Sequence, residues 1–330
     1  MTPQRTRRRK KNRTNRTLLG LISVLVLLLA VAIVVAVGLP GAAPQPNPTN
    51  PPTDPPTDAP TDAPTEPPTE PPTDPPLNGW QTVGSQRYYY IDGTPLTGWQ
   101  NLDGQNYYFR EDGTMARGTV VIDGKNHFFS SQGIPFIVAN PWNYIPEDYV
   151  LDLVTLPKEY GEGQIQRECY DALIQMIQDC NAAMRAQNIY TEAFMVSGYR
   201  SHERQTNNFN NKINTLMQQN PGMSREEATR LAATVIAVPG TSEHELGLAA
   251  DIIDTQLWAL EEEQANLPAQ KWLMENCWKY GFLLRYPANS TDSTGIIYEP
   301  WHYRYFGKDI AEEIHFSGMT VEEYLVSISS

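Results

Sequence analysis

The sequence predicts an α+β fold: a domain with an antiparallel sheet flanked by helices, preceded by a small β-hairpin repeat module, a disordered Pro-rich linker and one transmembrane helix. Three observations predict this organisation. An uncharged apolar run lies near the N-terminus, an aromatic pattern repeats every 19–20 residues, and helical and strand-like periodicities alternate after residue 140. The predicted segments are a basic tail (1–17), the transmembrane helix (18–38), the linker (39–77), the repeats (78–136) and the α+β domain (137–330).

Composition excludes two classes of protein. The 330 residues include 25 Lys+Arg, 38 Asp+Glu and 3 Cys, with a net charge of −13. An acidic chain is unsuited to nucleic acid, whose phosphates need clustered cations, and three cysteines cannot form a disulfide-dense scaffold. The charge is divided unevenly: residues 1–17 carry eight cations and no acid, 53–76 carry six acids, and the remaining 17 cations and 32 acids give −15.

The first element is a membrane anchor. Residues 18–38 are uncharged and, at about 1.5 Å per residue in a helix, long enough for a hydrocarbon core of roughly 30 Å. The preceding cations predict a cytoplasmic N-terminus and place the rest of the chain outside the cell membrane. A cleaved signal peptide is the alternative, although its apolar region usually spans only about 7–15 residues.

The second element is a spacer. From Pro40 to Pro76 the sequence is nearly all Pro, Thr, Asp, Glu and Ala, and 53–76 consists of tetrads of the form T-[DE]-[PA]-P. Such a segment has too little apolar area to form a core, so it is predicted to be an extended polyproline-II chain. A stalk through a thick wall and a linker without a length requirement remain equally compatible with this pattern.

Three aromatic repeats follow between 79 and 134. Each combines a Gly-Trp or Gly-Thr start with a glycine turn, an aromatic strand and a second turn, which predicts two short strands per repeat. The units resemble the cell-wall-binding repeats of the choline-binding and glucan-binding type. That resemblance implies a cell-wall polymer as partner, held at shallow aromatic sites. The candidate aromatics are Trp80, Tyr88, Trp99 and Tyr107; packing within the repeat core is an equally good interpretation.

The last domain alternates helices and strands. Apolar residues at helical spacing predict a helix over 164–187, and Ser224 with Glu227 predicts a capped helix that Pro239-Gly240 stops. The three cysteines are predicted to be buried thiols, with a disulfide to Cys277 as the alternative. The other predicted elements are a strand at 193–196, a helix at 201–219, a helix at 267–280 and a strand at 282–284.

Two histidines and two carboxylates stand out. His244 precedes Asp251 by seven residues, and His302 follows Glu299 by three. Two imidazoles and one carboxylate form a plausible zinc site that leaves a position for water, provided that the chain bends at Gly247 to bring His244 and Asp251 together. Glu299 then has the chemistry of a general base toward that water.

Three motifs carry a family resemblance. SGYRSHERQ (197–205), PGTSEHELGLAAD (239–251) and YEPWHYRYFG (298–307) resemble the VanY-type D-alanyl-D-alanine carboxypeptidases, zinc peptidases of the fold shared with lysostaphin-type enzymes and the hedgehog domain. The resemblance covers roughly 140–330. It implies a zinc enzyme that trims the C-terminal D-alanine from peptidoglycan stem peptides.

The resemblance also assigns residues. His244, Asp251 and His302 match the family's zinc ligands, and Glu299 matches its catalytic base. Arg200 matches the arginine of the SGYRS motif, and a guanidinium suits either a substrate carboxylate or a developing oxyanion. Gln205 and Ser242 match family positions close to the substrate, with local hydrogen bonding as the competing interpretation.

Two alternatives remain at this point. The same chemistry would serve an L,D-carboxypeptidase acting on tetrapeptides or an endopeptidase cleaving cross-links. A protein of another class, a non-catalytic wall-binding protein, would have no need for the Glu299 base beside three metal ligands.

Overall fold

The computed structural model describes residues 77–329. The predicted basic tail, the predicted transmembrane helix and nearly all of the predicted linker lie outside these residues. Among the helices from residue 77 to 329, none has the length and apolar character to cross a membrane. The described residues therefore bear on the repeats and on the α+β domain.

The repeats form hairpins because their turns contain residues that tolerate positive φ. In the second repeat Asp103 has φ 53° and Gly104 has φ 83°, and in the third Asp123 and Gly124 have φ 50° and 76°. Two successive residues of this kind give the tight turn whose twist matches paired strands. The prediction of two strands per repeat is confirmed, with short additional strands after the first and third hairpins. The strands are β1 (Gly79–Val83), β2 (Gln86–Ile91), β3 (Thr94–Pro95), β4 (Gly98–Leu102), β5 (Gln105–Phe109), β6 (Gly118–Ile122), β7 (Lys125–Phe129) and β8 (Pro135–Phe136).

An antiparallel sheet organises the α+β domain, as predicted. Its strand order is β11-β12-β14-β13, so the strand that carries Asp251 lies beside the strand that carries His302. A separate two-stranded ladder joins β9 and β10. The strands are β9 (Leu153–Thr155), β10 (Gln164–Gln166), β11 (Ala193–Ser197), β12 (Ala249–Asp254), β13 (Phe282–Leu284) and β14 (His302–Tyr305).

Helices pack against the sheet, and the two together form the hydrophobic core of the domain. The buried face of the first helix, with Leu173, Met176 and Ile177, packs in one cluster with Met195 and Ile252 of the sheet. These apolar residues recur at helical spacing on one face, which is the pattern of an amphipathic helix. The helices are α1 (Arg167–Ala186), α2 (His202–Gln219), α3 (Arg225–Ala233), α4 (Pro268–Asn276), α5 (Thr291–Thr294), α6 (Lys308–Ser317) and α7 (Val321–Ile328).

Three helix boundaries differ from the sequence-based prediction. Residues 164–166 pair with β9 as a strand, so α1 begins at Arg167 rather than at 164. Ser224 caps α3 as predicted, but α3 ends at Ala233, where the β-branched run 234–236 begins. The predicted helix at 267–280 changes to a 3-10 helix after Asn276. All three cysteines are buried free thiols, as expected.

The third repeat and the C-terminal helices share a core. Phe128 of β7 packs in one buried cluster with Phe306, Ile310 and Leu325. The Ser131 backbone N–H also donates a hydrogen bond to the Tyr324 hydroxyl at 2.9 Å. Because this apolar core includes side chains from both parts, the repeat module and the α+β domain are expected to unfold together.

Replacing Phe128 by Ala tests this shared core. Loss of a buried aromatic ring is expected to lower the free energy of unfolding by about 3 kcal/mol and to shift one common transition. The measurement is thermal unfolding followed by near-UV circular dichroism. Val121→Ala, at an exposed position of β6, is the control and should leave the transition in place. Two separate unfolding transitions, of which Phe128→Ala displaces only one, would contradict the shared core.

Candidate metal centre

Strand pairing and one turn bring the predicted metal ligands together. Asp251 of β12 is the direct cross-strand partner of His302 of β14. His244 lies in a short 3-10 helix, Glu243–Leu246, which ends at Gly247 with φ 70°. This left-handed glycine turns the chain into β12, so the prediction that Gly247 allows the bend is confirmed.

The three side chains present ligand atoms to one point. His244 Nε2 and His302 Nδ1 each lie 3.2 Å from Asp251 Oδ1, and one ligand atom from each residue lies within 4.8 Å of the others. All three residues are buried. His244 Nε2 and Asp251 Oδ1 have no hydrogen-bond partner within the described chain, although they are shielded from solvent. Buried polar atoms are rarely left unpaired, so this donor set fits a bound metal ion.

Hydrogen bonds on the far side of each imidazole fix which nitrogen faces the centre. His244 Nδ1 lies 2.7 Å from the Gly198 carbonyl oxygen and donates to it, which leaves Nε2 for a metal. A side chain at Gly198 would collide with the Gln164 carbonyl, so glycine is required for this approach. His302 is oriented in the opposite sense: its Nε2 faces the Glu243 carboxylate at 3.4 Å, and its Nδ1 points to the centre.

A buried ion-pair network holds Glu243. Arg285 Nε donates to Glu243 at 2.8 Å, and the Arg285 Nη atoms bind Glu322 of α7 at 2.5 and 3.0 Å. Asn140 Nδ2 also donates to Glu322 at 2.9 Å. Burial alone would raise the pKa of Glu243, but the Arg285 and Arg304 guanidinium groups hold that pKa at about 2. Glu243 is therefore an anion facing His302.

Glu299 lies in the same cavity as the ligands. Its Oε2 is 3.5 Å from His302 Nδ1, and the residue is 9% exposed. Burial raises the pKa of Glu299 to about 8, although nearby His302 and Arg200 oppose that shift. A dication at the adjacent ligands would favour the carboxylate form of Glu299. Glu299 thus lies close to the three predicted metal ligands, and its role as a base stays a prediction.

The Arg200 guanidinium is hydrogen-bonded to Asp251, one of the predicted metal ligands. Its Nη2 donates to Asp251 Oδ2 at 2.7 Å, its Nε to Ser197 Oγ at 3.1 Å, and its Nη1 to Gln205 Oε1 at 3.2 Å. A guanidinium has five N–H groups, so two remain for a substrate. Asp251 thus offers one oxygen to Arg200 and the other to the centre.

The two predicted substrate-contacting residues differ in position. Gln205 is fully buried; it accepts from Arg200 and donates to the Ala237 carbonyl at 2.7 Å, and it does not line the cavity. The sequence-based alternative of local hydrogen bonding describes Gln205 better. Ser242 lines the cavity, which has a volume of about 190 Å³. Its apolar walls include Ile236, Ile296 and Trp301.

The four predicted repeat aromatics fall into three separate groups of ring contacts. Trp80 and Tyr107 lie with ring centroids 5.0 Å apart, and the Arg87 guanidinium stands 4.3 Å from the Trp80 ring centroid. Trp99, 47% exposed, contacts Tyr108 and His127 instead. Tyr88 pairs with Tyr90 and makes no described ring contact with either tryptophan. The structure therefore does not bring all four predicted aromatics into one site.

Sequence reasoning missed the charged residues behind His302. Glu243 stands directly before His244 in the motif and could have been noticed as an acid at a buried position. Arg285 and Glu322 are separated by 37 residues, so only the folded structure shows that they pair. No local sequence pattern predicts such a long-range network.

Replacing Arg285 by Met is expected to lower the free energy of unfolding by about 3–5 kcal/mol near neutral pH, because Glu243 and Glu322 then stay buried without that cation. The folded-state pKa of Glu243 is about 2, below its ordinary 4.5. The ionised Glu243 contributes fully to the stability of the wild type above about pH 4.5, and this contribution is lost as the pH falls toward 2. The difference in free energy of unfolding between the variant and the wild type should therefore narrow at low pH.

Denaturant unfolding of the chelator-treated protein at about pH 7 and about pH 3 measures this difference. Arg167→Met is the matched control, since Arg167 pairs with Asp152 on the solvent-exposed surface and should contribute little. An equal loss of stability at both pH values would show that the charge of Glu243 does not depend on Arg285.

Comparison with known proteins identifies two family models in the chain. The family model described as VanY: D-alanyl-D-alanine carboxypeptidase matches residues 162–308, and a choline-binding repeat model matches 96–133. A solved structure of VanYB in complex with D-alanine-D-alanine is 36% identical, covers 58% of this chain and 97% of its own, and gives a TM-score of 0.48.

Two curated relatives indicate the family to which the chain belongs. A D-alanyl-D-alanine carboxypeptidase of Enterococcus faecalis is 37% identical over 190 residues, which is 57% of this chain and 65% of the relative, so the chain spans just under two thirds of that protein. The bifunctional D-Ala-D-Ala dipeptidase and D-Ala-D-Ala carboxypeptidase VanXYC of Enterococcus gallinarum is 32% identical over 147 residues, 43% of this chain and 70% of the relative. The chain therefore belongs to the VanY family of D-alanyl-D-alanine carboxypeptidases.

Proposed function

We propose that the protein is a zinc-dependent D-alanyl-D-alanine carboxypeptidase that removes the C-terminal D-alanine from peptidoglycan stem peptides. The observation that carries the proposal is the convergence of His244, Asp251 and His302 on one point with Glu299 in the same cavity. Family membership and the E. faecalis relative named for this activity support the same substrate. A protein that only binds the wall would not need this combination of ligands and base.

The chain's own groups suit peptide hydrolysis. When bound, zinc supplies a Lewis acid and lowers the pKa of a coordinated water. Glu299 is placed to accept a proton from the attacking water and to return it to the leaving amine. The two remaining N–H groups of Arg200 can stabilise negative charge on the substrate. Ile236 and Ile296 exclude bulk water and suit the methyl group of alanine.

We also propose how the other segments serve this reaction. Residues 18–38 would anchor the chain in the cell membrane with the N-terminus in the cytoplasm, which the basic residues before this apolar run support. The repeats would bind a cell-wall polymer that carries a quaternary ammonium group such as choline. The match to a choline-binding repeat and the exposed ring of Trp99 beside Tyr108 and His127 support this partner.

Replacing Glu299 by Gln is expected to reduce kcat by at least about 100-fold, because the amide cannot accept the proton. Zinc content should stay near one ion per chain, since Glu299 is not a ligand of the three-residue set. The measurements are release of D-alanine from a pentapeptide and elemental analysis of the purified variant. Glu275→Gln, on the exposed face of α4, is the control. Retained turnover in Glu299→Gln would remove Glu299 from the mechanism.

Metal removal tests whether hydrolysis depends on zinc, and comparing two peptides shows which substrate is trimmed. Chelator treatment should abolish loss of one alanine from a muropeptide carrying a pentapeptide stem, and added zinc should restore it, because the buried ligand atoms then regain a partner. Mass spectrometry of pentapeptide and tetrapeptide products measures this loss. Chelator-sensitive trimming of the tetrapeptide alone would instead identify an L,D-carboxypeptidase, and no trimming of either substrate would favour a wall-binding protein.

A further inference from the structure

A second groove, which the proposed mechanism does not use, lies beside the metal cavity. This groove has a volume of about 440 Å³, against about 190 Å³ for the metal cavity. Arg200, Ile236, Asp251 and Leu260 line both spaces, so the groove and the metal cavity are adjacent and share a wall. Alanine, the leaving residue, is small enough for the smaller space. The larger groove is suited to the longer acyl part of a peptide, which lies on the N-terminal side of the scissile bond.

Trp258 lines this groove, and its ring and the backbone on either side of it are held by contacts. Its side chain is 66% exposed, and its ring packs against Phe194 with centroids 5.4 Å apart. The fully buried Gln264 donates to the carbonyls on both sides of it, Leu257 at 2.6 Å and Ala259 at 3.0 Å. An exposed indole on a fixed loop is a platform for a peptide, because little side-chain freedom is lost on contact.

Arg204, an exposed residue of α2, is a second cation that lines the groove. It lies one turn before Asn208 on α2, and both residues line the groove. Arg200 is already bound to Asp251, which is the only carboxylate among the described residues lining the groove. The Arg204 guanidinium, by contrast, has no ion pair or hydrogen bond within residues 77–329, and it is the backbone N–H of this residue that donates to Ser201 Oγ. An unpaired cation here is notable because residues 77–330 carry a net charge of −15.

We propose that Arg204 and Trp258 form a specificity subsite for a carboxylate-bearing residue in the acyl part of the substrate peptide. The inference rests on the proposed function and adds a preference within it. Arginine binds carboxylates in a bidentate geometry that neither Trp258 nor Asn208 can provide. In a stem peptide, such a free carboxylate is carried either by a γ-linked glutamate or by a diaminopimelate residue, and the chemistry at Arg204 is the same for both.

Three synthetic pentapeptides ending in D-Ala-D-Ala test the subsite with the full-length zinc-loaded protein. One has neither acyl-side carboxylate, one has only that of glutamate, and one has only that of diaminopimelate. Arg204→Gln is expected to raise KM about tenfold for one of the two carboxylate peptides with kcat unchanged, and to leave the peptide without carboxylates unaffected. Arg204→Lys should restore part of the difference. Arg185→Gln, exposed at the end of α1, is the matched control.

Binding gives a second readout that does not require turnover. Calorimetry of Glu299→Gln against the double variant Glu299→Gln/Arg204→Gln should show about a tenfold loss of affinity for the same carboxylate peptide only. Trp258→Ala should weaken all three peptides by a similar factor, because an indole contact does not depend on the carboxylate. Equal effects of Arg204→Gln on all three peptides, or none on any, would overturn the subsite. If the wild type cleaves no peptide, the proposed function fails, and calorimetry alone decides the subsite.

Discussion

The Asp251 carboxylate is the interaction on which the rest of the site depends. Its Oδ1 lies 3.2 Å from a nitrogen of each histidine, while its Oδ2 accepts from Arg200 at 2.7 Å. Arg200, His244 and His302 come from three different segments, so a single buried carboxylate unites them. Burial of that charge would be costly without partners, and its pKa is held well below the ordinary value by His244 and Arg200 despite the cost of burial.

A second layer of charge fixes the orientation of the ligands. Glu243 faces His302 and is held by Arg285, which binds Glu322 in the C-terminal helix α7. The same helix packs against the third repeat through Leu325 and Phe128. The position of one predicted metal ligand, His302, is therefore supported by a helix that also forms part of the repeat interface. This arrangement explains why the repeats and the α+β domain share a core instead of being joined only by a flexible segment.

The local elements and the ligand set could be predicted from the sequence because their signals are short in range. Positive-φ Asp-Gly turns, the apolar stripe of α1 and the bend at Gly247 each arise within a few residues. The roles of Gln205 and Arg285 could not be predicted in this way. Gln205 supports Arg200 from a fully buried position, and Arg285 pairs with a glutamate 37 residues later; both depend on how distant elements pack.

The central claim is that His244 Nε2, Asp251 and His302 Nδ1 bind one zinc ion beside Glu299. Anomalous diffraction at the zinc absorption edge, from crystals of the zinc-loaded protein, tests this claim most directly. We predict one dominant peak per chain, located between these three side chains, with His244 and His302 contributing different ring nitrogens. A peak at another site, no peak, or coordination of zinc by Nε2 of both histidines would contradict the account.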